Sequence, residues 1–180
     1  MNQADIVGLF IERCEDYKAQ VLKVPVAEIG ATIATVIQTA GLESVVLPSG
    51  LDQGWTKAIL VDSTRVISDD PSLSNLELNE IDGVVTSSKL GIAETGTIVL
   101  DHGPDQGRRA LSLVPDTHIC VVGADQVVAD VPDAIPLLRP SIDASQPLTW
   151  ISGPSATSDI ELERVEGVHG PRRLIIILGS

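Results

Sequence analysis

Aromatic residues are nearly missing from this sequence, with two Trp, one Tyr and one Phe in 180 residues. The core must therefore be aliphatic. At 43% apolar content, Val, Ile, Leu and Ala in this balance favour a buried sheet covered by helices. Cysteine is as scarce. Cys14 and Cys120 form no Cys-x-x-Cys spacing, which excludes an iron–sulfur or Cys-rich zinc site made by this chain alone. Two buried, apolar, reduced thiols are expected instead. Positive charge is short too: 12 Lys and Arg face 25 Asp and Glu, a net charge of −13. Nucleic acid and anionic membrane surfaces both need a positive field, so neither is an expected partner. No apolar run approaches the ~20 residues that span a bilayer, and no basic-then-apolar leader opens the sequence. A cytoplasmic protein without membrane insertion is expected.

Familiar cofactor patterns are absent as well. There is no Gly-x-Gly-x-x-Gly after a strand, no phosphate loop ending in Gly-Lys-Ser/Thr, and no Gly-x-Ser-x-Gly elbow. His102, His118 and His169 lack any paired metal-ligand spacing, so no metal site is expected.

What is present is an alternation of strand and helix patterns. Ile6, Phe10, Cys14, Tyr17 and Val21 form one stripe at helical period, which predicts a helix over 3–22. A second stripe, from Val26 to Ala40, follows Pro25 and stops at Gly41. Ser44–Leu47, Asp82–Thr86, Thr117–Val122 and Leu174–Leu178 read as strands, and Ile59–Val61 and Arg65–Ser68 compete for one more. Ser74-x-x-Glu77 is a capping box, and Asp130 before Val-Pro opens a helix to about Leu138, with a loop over Pro140–Pro147. Leu90–Ala93 and Thr97–Asp101 pair around a Gly-containing turn. The expected fold is one domain over 1–180, with a helical part over 1–41 and an α/β core over 42–180. It is a three-layer α/β/α arrangement on a mostly parallel sheet.

Two stretches carry the candidate chemistry. In Gly91–Leu100, Glu94 stands at a strand tip, where partial desolvation would suit it to base or nucleophile work. Thr95 and Thr97 offer hydroxyls, and Gly96 allows close approach of a ligand. The alternative is a turn carboxylate that caps amides. In Ile151–Pro171, Ser152, Gly153 and Ser155 could surround a small anion, at the kind of strand tip where open α/β sheets hold ligands. Ser158-x-x-Glu161 reads as a helical turn that Asp159 and Glu161 cap, or else Asp159 is a ligand-binding residue that orients the loop or a substrate hydroxyl. His169 beside Gly170-Pro171 could act as acid, base or anion ligand, or be structural. The pairs Arg108–Arg109 and Arg172–Arg173 are either surface charge or anion contacts.

Four segments, 91–100, 113–122, 151–161 and 167–171, together resemble the LUD domain of the lactate-utilisation protein C family. Ala-Glu-Thr-Gly-Thr combined with Ser-Gly-Pro-Ser-x-Thr-x-Asp-Ile-Glu is the specific part. The resemblance implies a fold similar to the ribose-phosphate isomerase, glucosamine-phosphate deaminase and CoA-transferase superfamily (the NagB/RpiA/CoA-transferase-like fold). It implies a role in oxidising L-lactate to pyruvate beside two iron–sulfur partner proteins. Clusters would sit in those partners, with no cofactor in this chain. It also leaves open a stand-alone enzyme of acyl/CoA-transfer or sugar-phosphate type. That alternative would use Glu94 with help from His169.

Overall fold

A computed structural model describes residues 1–61, 64–158, 164–166 and 170–180, with the backbone alone considered at 156–158 and 164–166. In chain order the helices are α1 Gln3–Asp16, α2 Ile29–Thr39, α3 Gln53–Leu60, α4 Asn75–Asn79, α5 Arg109–Leu113 and α6 Val131–Asp143. The strands are β1 Gln20–Val24, β2 Ser44–Leu47, β3 Arg65–Ser68, β4 Gly83–Thr86, β5 Leu90–Ile92, β6 Thr97–Leu100, β7 Thr117–Gly123, β8 Val127–Val128, β9 Thr149–Ile151, β10 Ala156–Ser158, β11 Arg164–Glu166 and β12 Arg173–Gly179.

Six strands form the central sheet in the order β1-β12-β7-β4-β2-β3, and every neighbouring pair is parallel. The apolar runs of β2, β4, β7 and β12 are buried almost throughout, as a parallel sheet covered on both faces requires. Alternation then sorts their side chains. Val45, Val85, Ile119, Val121, Ile175 and Ile177 pack under α2 and α3. Cys120, Val122, Leu174, Ile176 and Leu178 face the other way, onto α1 through Val7, Phe10 and Cys14. Val46 and Val84 share that second side with Leu78 of α4 and Leu111 of α5. The three-layer α/β/α architecture on a mostly parallel sheet is thus what the chain adopts.

The second side also carries a four-stranded sheet, β8-β5-β6-β9, built on the antiparallel β5–β6 hairpin. Its inner residues Ile98 and Leu100 join α1 over the central sheet, and α6 covers its outer face through Ala134 and Leu138. Helix α1 is tied to it at its start. Asn2 and Asp5 form a reciprocal cap, and the Gln3 amide donates to Ala124 O at 2.7 Å and Val127 O at 3.0 Å.

Four local expectations are corrected. The helix predicted over 3–22 ends at Asp16, and Gln20–Val24 is instead the edge strand β1 beside β12. Ile59–Val61 is not a strand; Ile59 and Leu60 end α3, and Arg65–Ser68 is the strand that enters the sheet. The loop expected over Pro140–Pro147 begins only after Asp143. Pro132, Pro136 and Pro140 recur every four residues on the exposed side of α6, where carbonyls left without a donor can meet water. Ser158 ends a strand rather than starting a helical turn: Ala156–Ser158 pairs antiparallel with Arg164–Glu166. Glu161 lies outside the described residues.

Candidate functional site

A cleft of about 400 Å³ opens on the second side of the central sheet, between α5, the edge strand β9 and the first residues of β7 and β12. Its walls include Arg109 and Ser112 of α5, His118 of β7, Thr149–Ile151 of β9, and the segment Ser152-Gly153-Pro154-Ser155. The cleft thus lies by the amino-terminal ends of β7 and β12. Open parallel sheets more commonly hold ligands at the carboxyl ends. Here β9 belongs to the smaller sheet, and the cleft runs between that sheet and α5, above the buried His118 and Leu174.

The β6–β9 register builds one wall. Ile98 faces Ile151 and Leu100 faces Thr149, so Thr97 and Ser152 meet where the two strands diverge. Their hydroxyls lie 2.7 Å apart, and Thr95 Oγ1 lies 2.7 Å from Thr97 Oγ1. Three of the candidate residues are therefore one hydroxyl chain. Gly153 continues the wall with φ of 78°, and a Cβ there would stand 2.4 Å from Tyr17 O. Gly96, with φ of 54°, would set a Cβ 2.8 Å from Arg13 O. Both glycines let these loops close onto the end of α1, so the close approach inferred for Gly96 is to protein backbone. The Ser155 N–H donates to Pro171 O at 2.8 Å, which ties this segment to the entry of β12.

Glu94 stands apart. It is exposed in the β5–β6 turn, its N–H donates to Ala129 O at 2.9 Å, and it does not line the cleft. The desolvated strand-tip carboxylate expected from sequence is a solvent-facing turn residue. Asp159 and His169 lie outside the described residues.

The arginine pairs divide in roles. Arg108 is held by Asp69, at 2.6 Å and 2.8 Å, and donates to Leu73 O. Arg172 pairs with Asp116 at 3.6 Å, and Arg173 donates to Thr117 Oγ1 and Ala40 O. Arg109, on the cleft wall, is exposed and makes no ion pair or side-chain hydrogen bond among the described residues. It is the cation there that remains available to an anion.

His118 is the residue that sequence reasoning missed as a site candidate, because it reads as part of an apolar strand. It is wholly buried on the cleft floor. Nε2 lies 2.8 Å from Thr86 Oγ1, and Nδ1 has no hydrogen-bond partner among the described residues. Burial pushes the imidazole down to about 4, so it is neutral at pH 7. The two cysteines are free and buried, as expected, and burial pushes each thiol up to about 12, well away from thiolate reactivity. Among the described residues, no group of three or more His, Cys, Asp or Glu is placed to hold a metal ion, and no helix is long and apolar enough to cross a membrane.

Fold and cleft together define a parallel α/β domain with a small cavity, polar and apolar in its lining, whose wall carries a cation that is unpaired among the described residues. The chain belongs to the LUD domain family, whose pattern matches residues 7–178. It is 47% identical to Lactate utilization protein C from Deinococcus radiodurans over 178 residues, covering 99% of this chain and 81% of that protein. It is 37% identical to Lactate utilization protein C from Bacillus subtilis, over 53% of this chain and 41% of that one. An uncharacterized protein from Neisseria meningitidis serogroup B is 32% identical over 76% of this chain and 61% of its own length. This chain thus matches less than two thirds of each of those last two proteins. The crystal structure of a DUF162 family protein from Deinococcus radiodurans superposes with a TM-score of 0.86, at 40% identity, over 100% of this chain and 99% of that chain. The family resemblance drawn from residues 91–100, 113–122, 151–161 and 167–171 is therefore borne out.

Proposed function

We propose that this chain serves lactate utilisation as a cytoplasmic component of a system that oxidises L-lactate to pyruvate. In this reading it works with two iron–sulfur partner proteins and binds a small organic anion in the cleft. The observation that carries the anion is Arg109, a guanidinium on a cleft wall with no counter-charge among the described residues, in a chain of net charge −13. Hydroxyl-bearing residues line the same space at Ser112, Thr149, Ser152 and Ser155, and a carboxylate is the group that a guanidinium fork and hydroxyls suit best. The names of the Deinococcus and Bacillus relatives supply the metabolic context. No observation favours the stand-alone enzyme built on Glu94, since that carboxylate is exposed and away from the cleft.

Trp150 lines the cleft, whereas Trp55 packs on the opposite side of the central sheet, so tryptophan fluorescence reads occupancy. Titration with L-lactate, pyruvate and acetate is expected to quench or shift the signal at saturable concentrations. Arg109→Ala should weaken binding by at least about tenfold, the loss expected for a charge-assisted contact, and Glu94→Gln should leave it unchanged. No saturable response to any carboxylate overturns the anion reading. For the system, affinity purification from cells grown on lactate should recover iron–sulfur proteins, and deletion should impair that growth. Normal growth without those partners overturns it.

A further inference from the structure

A second group of cations stands away from the Arg109 cleft. At the amino-terminal ends of β1 and β12, beside the last turn of α2, a pocket of about 340 Å³ takes Lys18, Gln20, Thr39, Arg172 and Arg173 into its lining. Among the described residues, no Asp or Glu lines it. Three of the chain's 12 Lys and Arg thus share one pocket in a chain that carries 25 Asp and Glu. The strand register brings two of them together. Gln20 pairs with Ile175 in the parallel β1–β12 ladder, so Lys18 leads into β1 beside Arg173, two residues before Ile175. All three cations are exposed, so a ligand in the pocket can reach them.

The fold makes little use of their charge. Lys18 has no ion pair or side-chain hydrogen bond among the described residues. Arg172 stands 3.6 Å from Asp116 with both side chains more than half exposed, a pair that water weakens. Arg173 spends Nε on Thr117 Oγ1 at 3.0 Å and Nη1 on Ala40 O at 3.2 Å. That covers the carbonyl end of α2 and leaves Nη2 without a partner among the described residues. Lys18 is also held in place. It follows α1 in the left-handed region, with φ of 72°, where glycine is the easier residue. The amides of Lys18 and Ala19 donate back to Glu15 O at 2.8 Å and Cys14 O at 3.0 Å. A strained backbone thus carries a lysine into the pocket, and such strain clusters at ligand clamps.

We infer that this pocket binds the phosphoryl group of a small phosphate ester, with Lys18, Arg172 and Arg173 as its counter-charges. A dianion with three acceptor oxygens answers three cations and their donors better than a single carboxylate does. The volume falls in the range of small-molecule sites, roughly 300–1,000 Å³, and leaves room for the carbon part of the ester. The site is separate from the carboxylate cleft, because Arg173 reaches toward α2 and the two pockets share Leu174 alone among the described residues.

The test is calorimetric titration of the whole chain with glycerol phosphate and inorganic phosphate at constant ionic strength. Both are expected to bind saturably, the ester at least as tightly as the bare ion. Lys18→Gly and Arg172→Gln should each weaken glycerol phosphate binding by at least about tenfold, the loss of one charge-assisted contact. Arg109→Ala and Arg139→Gln, which remove a cation elsewhere, should leave it unchanged. Lys18→Gly should also raise the urea midpoint, because glycine accepts the left-handed backbone without strain, so lost binding there is not lost folding. No saturable binding of glycerol phosphate overturns the inference, and so does unaltered affinity in both Lys18→Gly and Arg172→Gln. Loss of binding in Arg109→Ala places the phosphate in the first cleft and overturns it too. None of these outcomes bears on carboxylate binding followed through Trp150, so the two sites stand or fall apart.

Discussion

Two clefts meet at helix α5, and the arginine and histidine of each are in opposite states. One is the cavity of about 400 Å³ that takes Arg109 and Ser112 from the helix. The other, about 560 Å³, takes Arg108 and Leu111 and lies against the segments that follow β2 and β3. This second cleft sits where open parallel sheets commonly bind ligands, and by volume it is the larger. Its arginine and its histidine are nonetheless engaged within the protein. Arg108 is closed by Asp69, while His102 uses both ring nitrogens, Nδ1 with Gly107 O at 2.9 Å and Nε2 with Thr149 Oγ1 at 2.7 Å. Among the described residues, the first cleft keeps a cation without a counter-charge and an imidazole nitrogen without a partner. Unsatisfied groups, rather than volume or position in the sheet, mark which cavity is equipped to receive a ligand.

The sharpest way to separate the clefts is acid. His118 titrates well below its ordinary value because burial disfavours the imidazolium. Its neutral form therefore contributes stability that is complete above the unfolded value near 6.5. That contribution falls as pH drops from there toward about 4, and the loss is on the order of 3 kcal/mol. Asp69 behaves differently in range. The Arg108 hydrogen bonds hold its carboxyl below the usual 3.8, so its contribution stays intact above that value and is lost only as pH falls below it. Urea midpoints measured from pH 7.5 to 3 should fall first in the histidine window, and His118→Phe should flatten that segment alone. A flat profile between 6.5 and 4 in the unaltered protein would refute the buried neutral imidazole.

A smaller effect probes the wall of the first cleft. Gly153→Ala forces a left-handed backbone and drives a Cβ against Tyr17 O. A loss of about 2 kcal/mol in chemical denaturation is expected, with weakened anion binding as the loop moves. Unchanged stability would mean that this loop is not clamped on α1. The finest test uses adjacent residues at the start of α5, Arg108 just before the helix and Arg109 in its first turn. Arg108→Ala should cost about 1 kcal/mol, because the guanidinium is about a third exposed and solvent weakens its pairing with Asp69. Arg109→Ala should change stability by less than about 0.5 kcal/mol, since its guanidinium pairs with no group among the described residues. If the two variants behave alike in both stability and binding, the contrast between the clefts fails.

Much of this was legible along the chain. The apolar runs of β2, β4, β7 and β12 are fixed by composition, because only a doubly covered parallel sheet buries such runs on both faces. Ser74 and Asp130 cap α4 and α6 where their spacing says they should, since capping is a contact between near neighbours. Strand β1 was hidden because it sits at the sheet edge, with intermediate burial, directly after a helical stripe whose period its own residues extend. The end of α6 was hidden because its prolines, read locally, break helices, while their common solvent-facing side spares the helix.

By itself, then, the sequence determined the aliphatic parallel core, the main helix starts and the family pattern, all of which depend on residues close together in the chain. Only the tertiary structure decided which polar residues carry capacity. Glu94 and His118 look alike in sequence, each a titratable residue next to an apolar strand run. One is left in water by a turn, and the other is closed under a small sheet whose edge strand comes from 31 or more residues later. Burial and pairing are set by what folds over a residue from elsewhere in the chain, and a local pattern carries no record of that.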